Sequence, residues 1–347
     1  MRETDRPAVP TLEDVARLAG VSRATVSRVV NGSRTVNEAQ RQTVLEAVAE
    51  IGYVPNRAAR SLITRRIGAV ALVVSGSGAE NEQQYRDEVF TDPFFGRVAN
   101  GVLGLLRTRG IHPLLMLAEN PAARDDVIDH LRRGSADGAL VVSTHSHDPL
   151  PQQLLEAGVP TVLYARSGLP IAISYVDVAH RDGGALAAER LVAQGRTRVV
   201  SIAGPLDLRA ASERLEGFSE AMARHGRPYV RSEEGEFTQA SGEAAMRRLL
   251  ELEPELDGVF AANDLMALGA LHVLQDCGRR VPEDVSVIGF DDSSVARVSR
   301  PMLTTVRQPV EDMAAAMADM LLERVEKPGM PPRSLIFDPI LIVRQSG

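Results

Sequence analysis

Cysteine occurs once in the 347 residues, at Cys277, which excludes an intramolecular disulfide and any multi-cysteine metal cluster. No apolar run approaches the roughly 18–20 residues that a membrane span needs. The opening MRETDRPAVP has no apolar stretch of the kind a secretory signal carries. Cytoplasmic residence is the expectation, which a reducing compartment fits. Tryptophan is absent, phenylalanine and tyrosine together number thirteen, and lysine occurs once, at Lys327. At 44% hydrophobic and 24% charged residues, the chain has the composition of a globular protein long enough for two or three domains.

The net charge of −7 is unevenly spread. Residues 1–66 carry eleven arginines and seven acids, a net of +4, and the rest carries −11. From Ile51 to Ala79 there is no acid at all, while Arg57, Arg60, Arg65 and Arg66 fall inside that stretch. A small basic head on a large acidic body points to an anionic partner for the head alone.

After a tail over 1–10, the text turns helical in three short pieces. Thr11 and Asp14 form a capping-box pair before a first helix whose apolar face is Leu12, Val15, Ala16 and Ala19, and Gly20 ends it. Ser22 caps a second helix, with Val26, Val29 and Val30 inward, that ends at Asn31-Gly32. Asn37 caps a third, with Gln40 in the reciprocal place and Val44, Leu45 and Val48 expected to be buried. Two short helices joined by a tight turn are the signature of a helix-turn-helix. NRAARSLITRR, after Pro55, has little apolar surface and is too short to stand as an isolated helix; it reads as a linker that orders on binding.

From Ile67 the rhythm changes. Uninterrupted apolar strands (IGAVALVVS, LLMLA, GALVVS, VPTVLY, RVVSIAG, GVFAAN, VSVIGF) alternate with amphipathic helices, the pattern of parallel sheets covered on both faces. There are enough such units for two doubly wound lobes, in which ligands bind beyond the carboxyl ends of strands. An enzyme finds little support. Gly76-Ser77-Gly78 imitates the start of a dinucleotide fingerprint, but Asn81 stands where the third glycine belongs. We find no P-loop, no G-x-S-x-G and no metal-ligand cluster. His145 and His147 form an H-x-H pair that lacks the further ligands zinc requires, and reads as the polar rim of a cleft. No cofactor is expected.

TLEDVARLAGVSRATVSRVVNG, followed by YVPNRAARSL and a two-lobed α/β body, resembles the LacI/GalR transcriptional regulators. The likeness continues through DPFFGRVANGV, the AGP at Ala203–Pro205 with ERLEGF after it, FAANDLMALGA, VSVIGFDD and LTTVRQP, from Thr11 to about Arg344. It implies an all-α helix-turn-helix head with a hinge helix, and an α/β body of two doubly wound parallel-sheet lobes like the periplasmic binding proteins. The expected boundaries are 1–10 for the tail, 11–54 for the head, 55–66 for the hinge and 67–347 for the body. Within the body, lobe 1 is expected at about 67–165 and 296–328, and lobe 2 at about 166–295 and 329–347.

The expected partners are a roughly palindromic double-stranded operator, a second copy of the chain, and a small effector, with a sugar favoured. In a helix-turn-helix the second helix enters the major groove with its N-terminal residues at base edges. Arg23 and Ala24 open that helix, and Arg28 follows on the same side. Arginine can bond guanine bidentately, and an alanine methyl can meet thymine. Ser22, Thr25, Ser27 and Asn31 suit phosphate or base contacts. The resemblance further implies that Leu62 wedges a central base step in the minor groove, with Ala59 beside it and Asn56, Arg57 and Arg60 near phosphates. Arg65 and Arg66 would add general electrostatic attraction.

In related regulators the effector site is lined at the positions of Asp92, Phe94, Phe95, Arg214, Asn263, Asp264, Asp291 and Asp292, and Tyr164 and Phe290 are further candidates here. An arginine fork and a carboxylate can each bond two vicinal hydroxyls, and an aromatic face can cover a sugar ring. Asn263, Asp264 and Asp291 have the alternative reading of helix caps, and Phe94 or Phe95 that of core. Ala165 stands where many sugar-sensing relatives carry an acid, leaving Tyr164 or Arg166 to shape the pocket. The first-lobe wording looks most like regulators of glucoside and cello-oligosaccharide use in actinobacteria. A purine-type corepressor, or a free sugar-binding protein of the solute-receptor kind, are the alternatives.

Overall fold

The computed structural model describes residues 10–30, 36–53, 66–76 and 82–347. The chain divides into two compact units, Met1–Gly68 and Ala69–Gly347.

In the first unit, helices α1 (Leu12–Ala19), α2 (Arg23–Val30) and α3 (Glu38–Ile51) pack around Val15, Val26 and Val44, each fully buried, with Ala47 and Tyr53 closing the core. The capping box of α1 is closed from both sides: Thr11 Oγ1 accepts from the Asp14 amide, and Asp14 Oδ2 accepts from the Thr11 amide. Gly20, at φ +63°, ends the helix in the left-handed region where glycine carries no Cβ penalty. Leu45, expected inside, is 44% exposed; the core turns instead on Val44 and Ala47, three residues apart on one face of α3.

The second unit holds two six-stranded sheets. The first has the order β11-β5-β4-β3-β1-β2, built from Ala69–Ser75 (β1), His112–Ala118 (β2), Ala139–Ser143 (β3), Thr161–Tyr164 (β4), Ser174–Val178 (β5) and Ser334–Phe337 (β11). The second has the order β12-β10-β9-β8-β6-β7, from Val199–Ala203 (β6), Arg231–Glu234 (β7), Gly258–Ala261 (β8), Ser286–Asp291 (β9), Thr304–Arg307 (β10) and Ile340–Ile342 (β12). Every pairing is parallel except β10 with β12. The continuous apolar text of β1 follows from burial on both faces. Val70 and Leu72 join one core cluster with Val98 and Met317, while Ala71 and Val73 join another with Val127 and Leu131.

The expected lobe boundaries need correction. β5, placed in lobe 2 from residue 166, belongs to the first sheet, as does β11. β10, placed in lobe 1 from residue 296, belongs to the second. Crossovers lie after Val178, after Arg307 and after Phe337. They are decided by which distant strand offers a free edge, so local composition does not announce them. Among the described residues, no helix is long and apolar enough to cross a membrane.

Candidate functional site

Between the two sheets lies a cavity of about 600 Å³, walled by residues that follow strands of both lobes. Of the side chains expected at an effector site, Asp92, Phe94, Phe95, Tyr164, Arg214, Asn263 and Asp291 line it. Asp292 does not, and two others stand behind the wall. Asp264 turns into the second lobe, where its carboxylate accepts from Thr305 Oγ1 at 2.6 Å and from the Ser293 amide at 2.7 Å. Phe290 is fully buried beneath Arg214, whose guanidinium carbon lies 3.8 Å from the ring centroid. Both therefore support neighbours rather than face the cavity. Asp264 satisfies its oxygens within the protein, and a ring under a buried cation gains from the π face.

Arg214 is placed by backbone contact. The helices His180–Ala193 and Arg209–Arg224 touch where Gly184 lies against the Arg214 carbonyl; a Cβ on that glycine would sit 2.1 Å from the oxygen. The approach brings the guanidinium to three partners. Nη1 donates to the Ala262 carbonyl at 2.5 Å, Nε donates to His180 Nδ1 at 3.2 Å, and Nη1 lies 3.6 Å from Asp291 Oδ1. Since His180 Nδ1 accepts, its proton sits on Nε2, facing Asp177 Oδ1 at 3.2 Å. Burial lowers the pKa of His180 and keeps the imidazole neutral. Burial likewise works to raise Asp177, but hydrogen bonds from His180 and from the Arg166 and Val178 amides outweigh it and hold the carboxyl below its ordinary value.

Asp291 ends β9 at φ +107°, a backbone state that a residue with a side chain adopts only when its surroundings enforce it. Its Oδ1 accepts from Gln308 Nε2 at 2.6 Å. Burial raises its pKa, against the opposing pull of Arg214 and Arg97. Two other wall residues serve as caps as well as lining. Asn263 Oδ1 accepts from the Met266 amide at 2.9 Å and its Nδ2 donates to the Phe237 carbonyl at 2.8 Å. Asp92 Oδ1 accepts from the Phe94 amide at 2.9 Å, opening the helix Pro93–Thr108.

Phe94 meets Phe95 and Tyr164 edge-on, each at 5.3 Å between centroids, an arrangement that gives the first-lobe wall an aromatic surface. Burial pushes the Tyr164 phenol well up, and its hydroxyl points to Met313 Sδ at 3.5 Å. Ala165 takes φ +70°, and Arg166 joins the wall as expected, as does His145, while His147 is exposed. His180, Gln308 and Phe237 also line the cavity and were not read from the sequence. A histidine at a helix start, a glutamine before a proline and a phenylalanine in a polar loop carry no local signal of convergence.

In the head, Ser22 Oγ accepts from the Thr25 amide at 3.1 Å, so the cap of α2 is as expected. Ser22, Arg23, Ala24 and Arg28 are exposed, whereas Thr25 and Ser27 are half-buried. Arg23 pairs with Glu13 at 3.1 Å, with both side chains largely in solvent. Asn31, Asn56, Arg57, Ala59, Arg60, Leu62 and the Ser77–Asn81 stretch lie outside the described residues.

A helix-turn-helix unit joined to a two-lobed body with a polar, aromatic-walled cleft defines a ligand-responsive DNA-binding regulator. Residues 11–56 match the bacterial regulatory proteins of the lacI family, and residues 188–347 match the periplasmic binding protein-like domain. The chain is 46% identical to the HTH-type transcriptional regulator CelR of Thermobifida fusca, over 99% of this chain and 100% of that protein. It is 33% identical to the ribose operon repressor of Escherichia coli strain K12, over 97% and 99% of the two chains. Among solved structures, a transcriptional regulator CelR–cellobiose complex matches with a TM-score of 0.76 at 44% identity, covering 97% of this chain and 100% of that one. The Lac repressor dimer bound to operator and the anti-inducer ONPF matches with 0.79 at 26% identity, covering 97% and 98%. The chain belongs to the LacI family of bacterial transcriptional regulators.

Proposed function

We propose that this chain is a homodimeric, operator-binding repressor of carbohydrate-use genes, acting in the cytoplasm, whose affinity for a roughly palindromic operator is changed by a sugar held between the two lobes. It works through binding equilibria and carries no catalytic group in this reading. The observation that carries the proposal is the pairing of a buried arginine, Arg214, with a buried carboxylate, Asp291, on the wall of a cavity that also presents Phe94 and Phe95. A cation fork and a carboxylate at one end, with aromatic surface beside them, match vicinal hydroxyls on a ring with an apolar face.

The effector is a glucoside disaccharide of the cellobiose kind. Two observations support this: the similarity to a regulator solved with cellobiose, and a cavity volume within the roughly 300–1,000 Å³ of ordinary small-molecule pockets. Arg214, Asp291, Asn263 and Asp92 are assigned the hydroxyls, and Phe94, Phe95 and Tyr164 the ring faces, with Asp264 and Phe290 as their supports. On DNA, Arg23, Ala24 and Arg28 are assigned base edges, and Ser22, Thr25, Ser27 and Asn31 phosphates or bases. Leu62 with Ala59 is the minor-groove wedge, and Asn56, Arg57 and Arg60 are its phosphate contacts.

The test is a thermal-shift comparison of cellobiose, glucose, ribose and hypoxanthine against the full chain. A ligand that binds the folded state raises the melting temperature by mass action. Cellobiose should do so and hypoxanthine should not. The reverse pattern overturns the sugar assignment in favour of a purine.

A further inference from the structure

Arg97 escaped the reading of the sequence, where it is one polar residue on an amphipathic helix. The structure gives it more than a surface role. The helices Pro93–Thr108 and Val310–Glu326 meet where Gly101 lies against backbone, since a Cβ there would sit 2.3 Å from the Glu311 carbonyl oxygen. Arg97, one turn earlier, is thereby held against Glu311 in a fork: Nε to Oε1 and Nη2 to Oε2, both at 2.8 Å. The rest of the guanidinium reaches the second lobe and the crossover. Nη1 donates to the Asp291 carbonyl at 2.7 Å, and Nη2 to the Gln308 carbonyl at 3.3 Å.

Those two carbonyls belong to wall residues whose side chains bond each other. Asp291 is also the residue held at φ +107°. Such a conformation persists only where neighbours over-determine it, and the short bond from Arg97 to its carbonyl is one of those determinants.

We propose that Arg97 is a positioning residue for the effector site: anchored through Glu311 on the first lobe, it fixes the Asp291 peptide and so aims the Asp291 carboxylate into the cavity. The inference rests on the reading of that cavity as the effector site. It makes the effector's contact with Asp291 and the packing of the first-lobe helix pair parts of one mechanical unit. Lysine cannot replace it, because a single ammonium cannot hold a carboxylate fork and two carbonyls together.

The test uses full-length Arg97→Gln and Arg97→Lys beside the wild type. Hydrogen exchange in the ligand-free chain should rise about tenfold or more over residues 289–293 and stay unchanged in the strands 199–203 and 258–261. Faster exchange confined to the first-lobe helices, with 289–293 as in the wild type, overturns the proposal. Arg97→Lys keeps a cation opposite Glu311, so it preserves the fold should the glutamine variant lose it, and it should show the same local loosening. In calorimetry with cellobiose, both variants should bind about tenfold more weakly, and Arg97→Gln should add little to Asp291→Asn. Wild-type affinity in both variants overturns the role of Arg97. If the wild type itself does not bind cellobiose, the sugar assignment fails instead, and the exchange measurement decides for Arg97.

Discussion

Asp92 caps a helix with one oxygen and faces the cavity in a mostly buried setting, and the conflict shows in its ionisation. Burial above all pushes its carboxyl up to about 6; the Phe94 amide and Arg214 pull it back, and the nearby Asp291 charge adds to the push. An unfolded aspartate ionises near 3.9, as a rough reference. Its contribution to stability is therefore fully present below about pH 4 and is lost as the pH rises through about 6, on the order of 3 kcal/mol. Asparagine is an equally good cap without a charge. Asp92→Asn should melt above the wild type at pH 7.5 and converge with it near pH 4; a constant offset across that range contradicts the assignment. Arg214 makes the complementary case. Arg214→Lys cannot keep the Ala262 carbonyl, His180 and the Phe290 face together, so cellobiose binding should weaken by about 1.5–3 kcal/mol in calorimetry. Unchanged affinity removes Arg214 from the site. Of the cavity-lining positions, Asn263 follows a readable strand, whereas Asp92 follows the helix Glu82–Thr91 and Arg214 lies inside a helix, so both were reached through the family resemblance. Arg97 and His180 were not legible, because their meaning lies in partners brought close by the fold, such as Glu311, 214 positions along the chain from Arg97.

At the scale of elements, glycine contacts set where side chains meet. Gly217 lies against the Arg181 carbonyl, where a Cβ would fall 2.0 Å from the oxygen, and Arg214 sits one turn before it. Gly217→Ala must part the two helices, so it should lower stability by about 1–3 kcal/mol in denaturant unfolding and weaken cellobiose binding with it. Full stability in that variant contradicts the backbone contact. The strands themselves divide by how the sequence displays them. VVSIA and VSVIGF are buried on both faces and read directly. RSEE of β7 is a polar edge strand with one neighbour, and SYVDV of β5 is interrupted by Asp177, which turns to His180. Neither carries a continuous apolar run, but of the two only β5 was assigned to the wrong lobe; with β10 and β11 it marks crossovers that the class of fold leaves open. In the head, the caps at Thr11 and Ser22 and the valine core were legible, but Leu45 was not, because the apolar alphabet cannot say which side of α3 faces its neighbours.

For the whole molecule, the separation of charge and of compact units supports the proposal that the N-terminal unit reads DNA and the body senses the effector. A fragment beginning at Ile67 should lose all operator binding in a gel-shift assay, and a retained shift contradicts the division. In the proposed mechanism a sugar in the cleft and DNA at the head are thermodynamically linked. Fluorescence anisotropy at fixed salt measures that linkage. The full chain is titrated onto a palindromic operator selected from a random-sequence pool, without and with saturating cellobiose. The midpoint should move by about tenfold or more, or about 1.4 kcal/mol. Superimposable curves, at a cellobiose concentration that raises the melting temperature, would contradict the linkage.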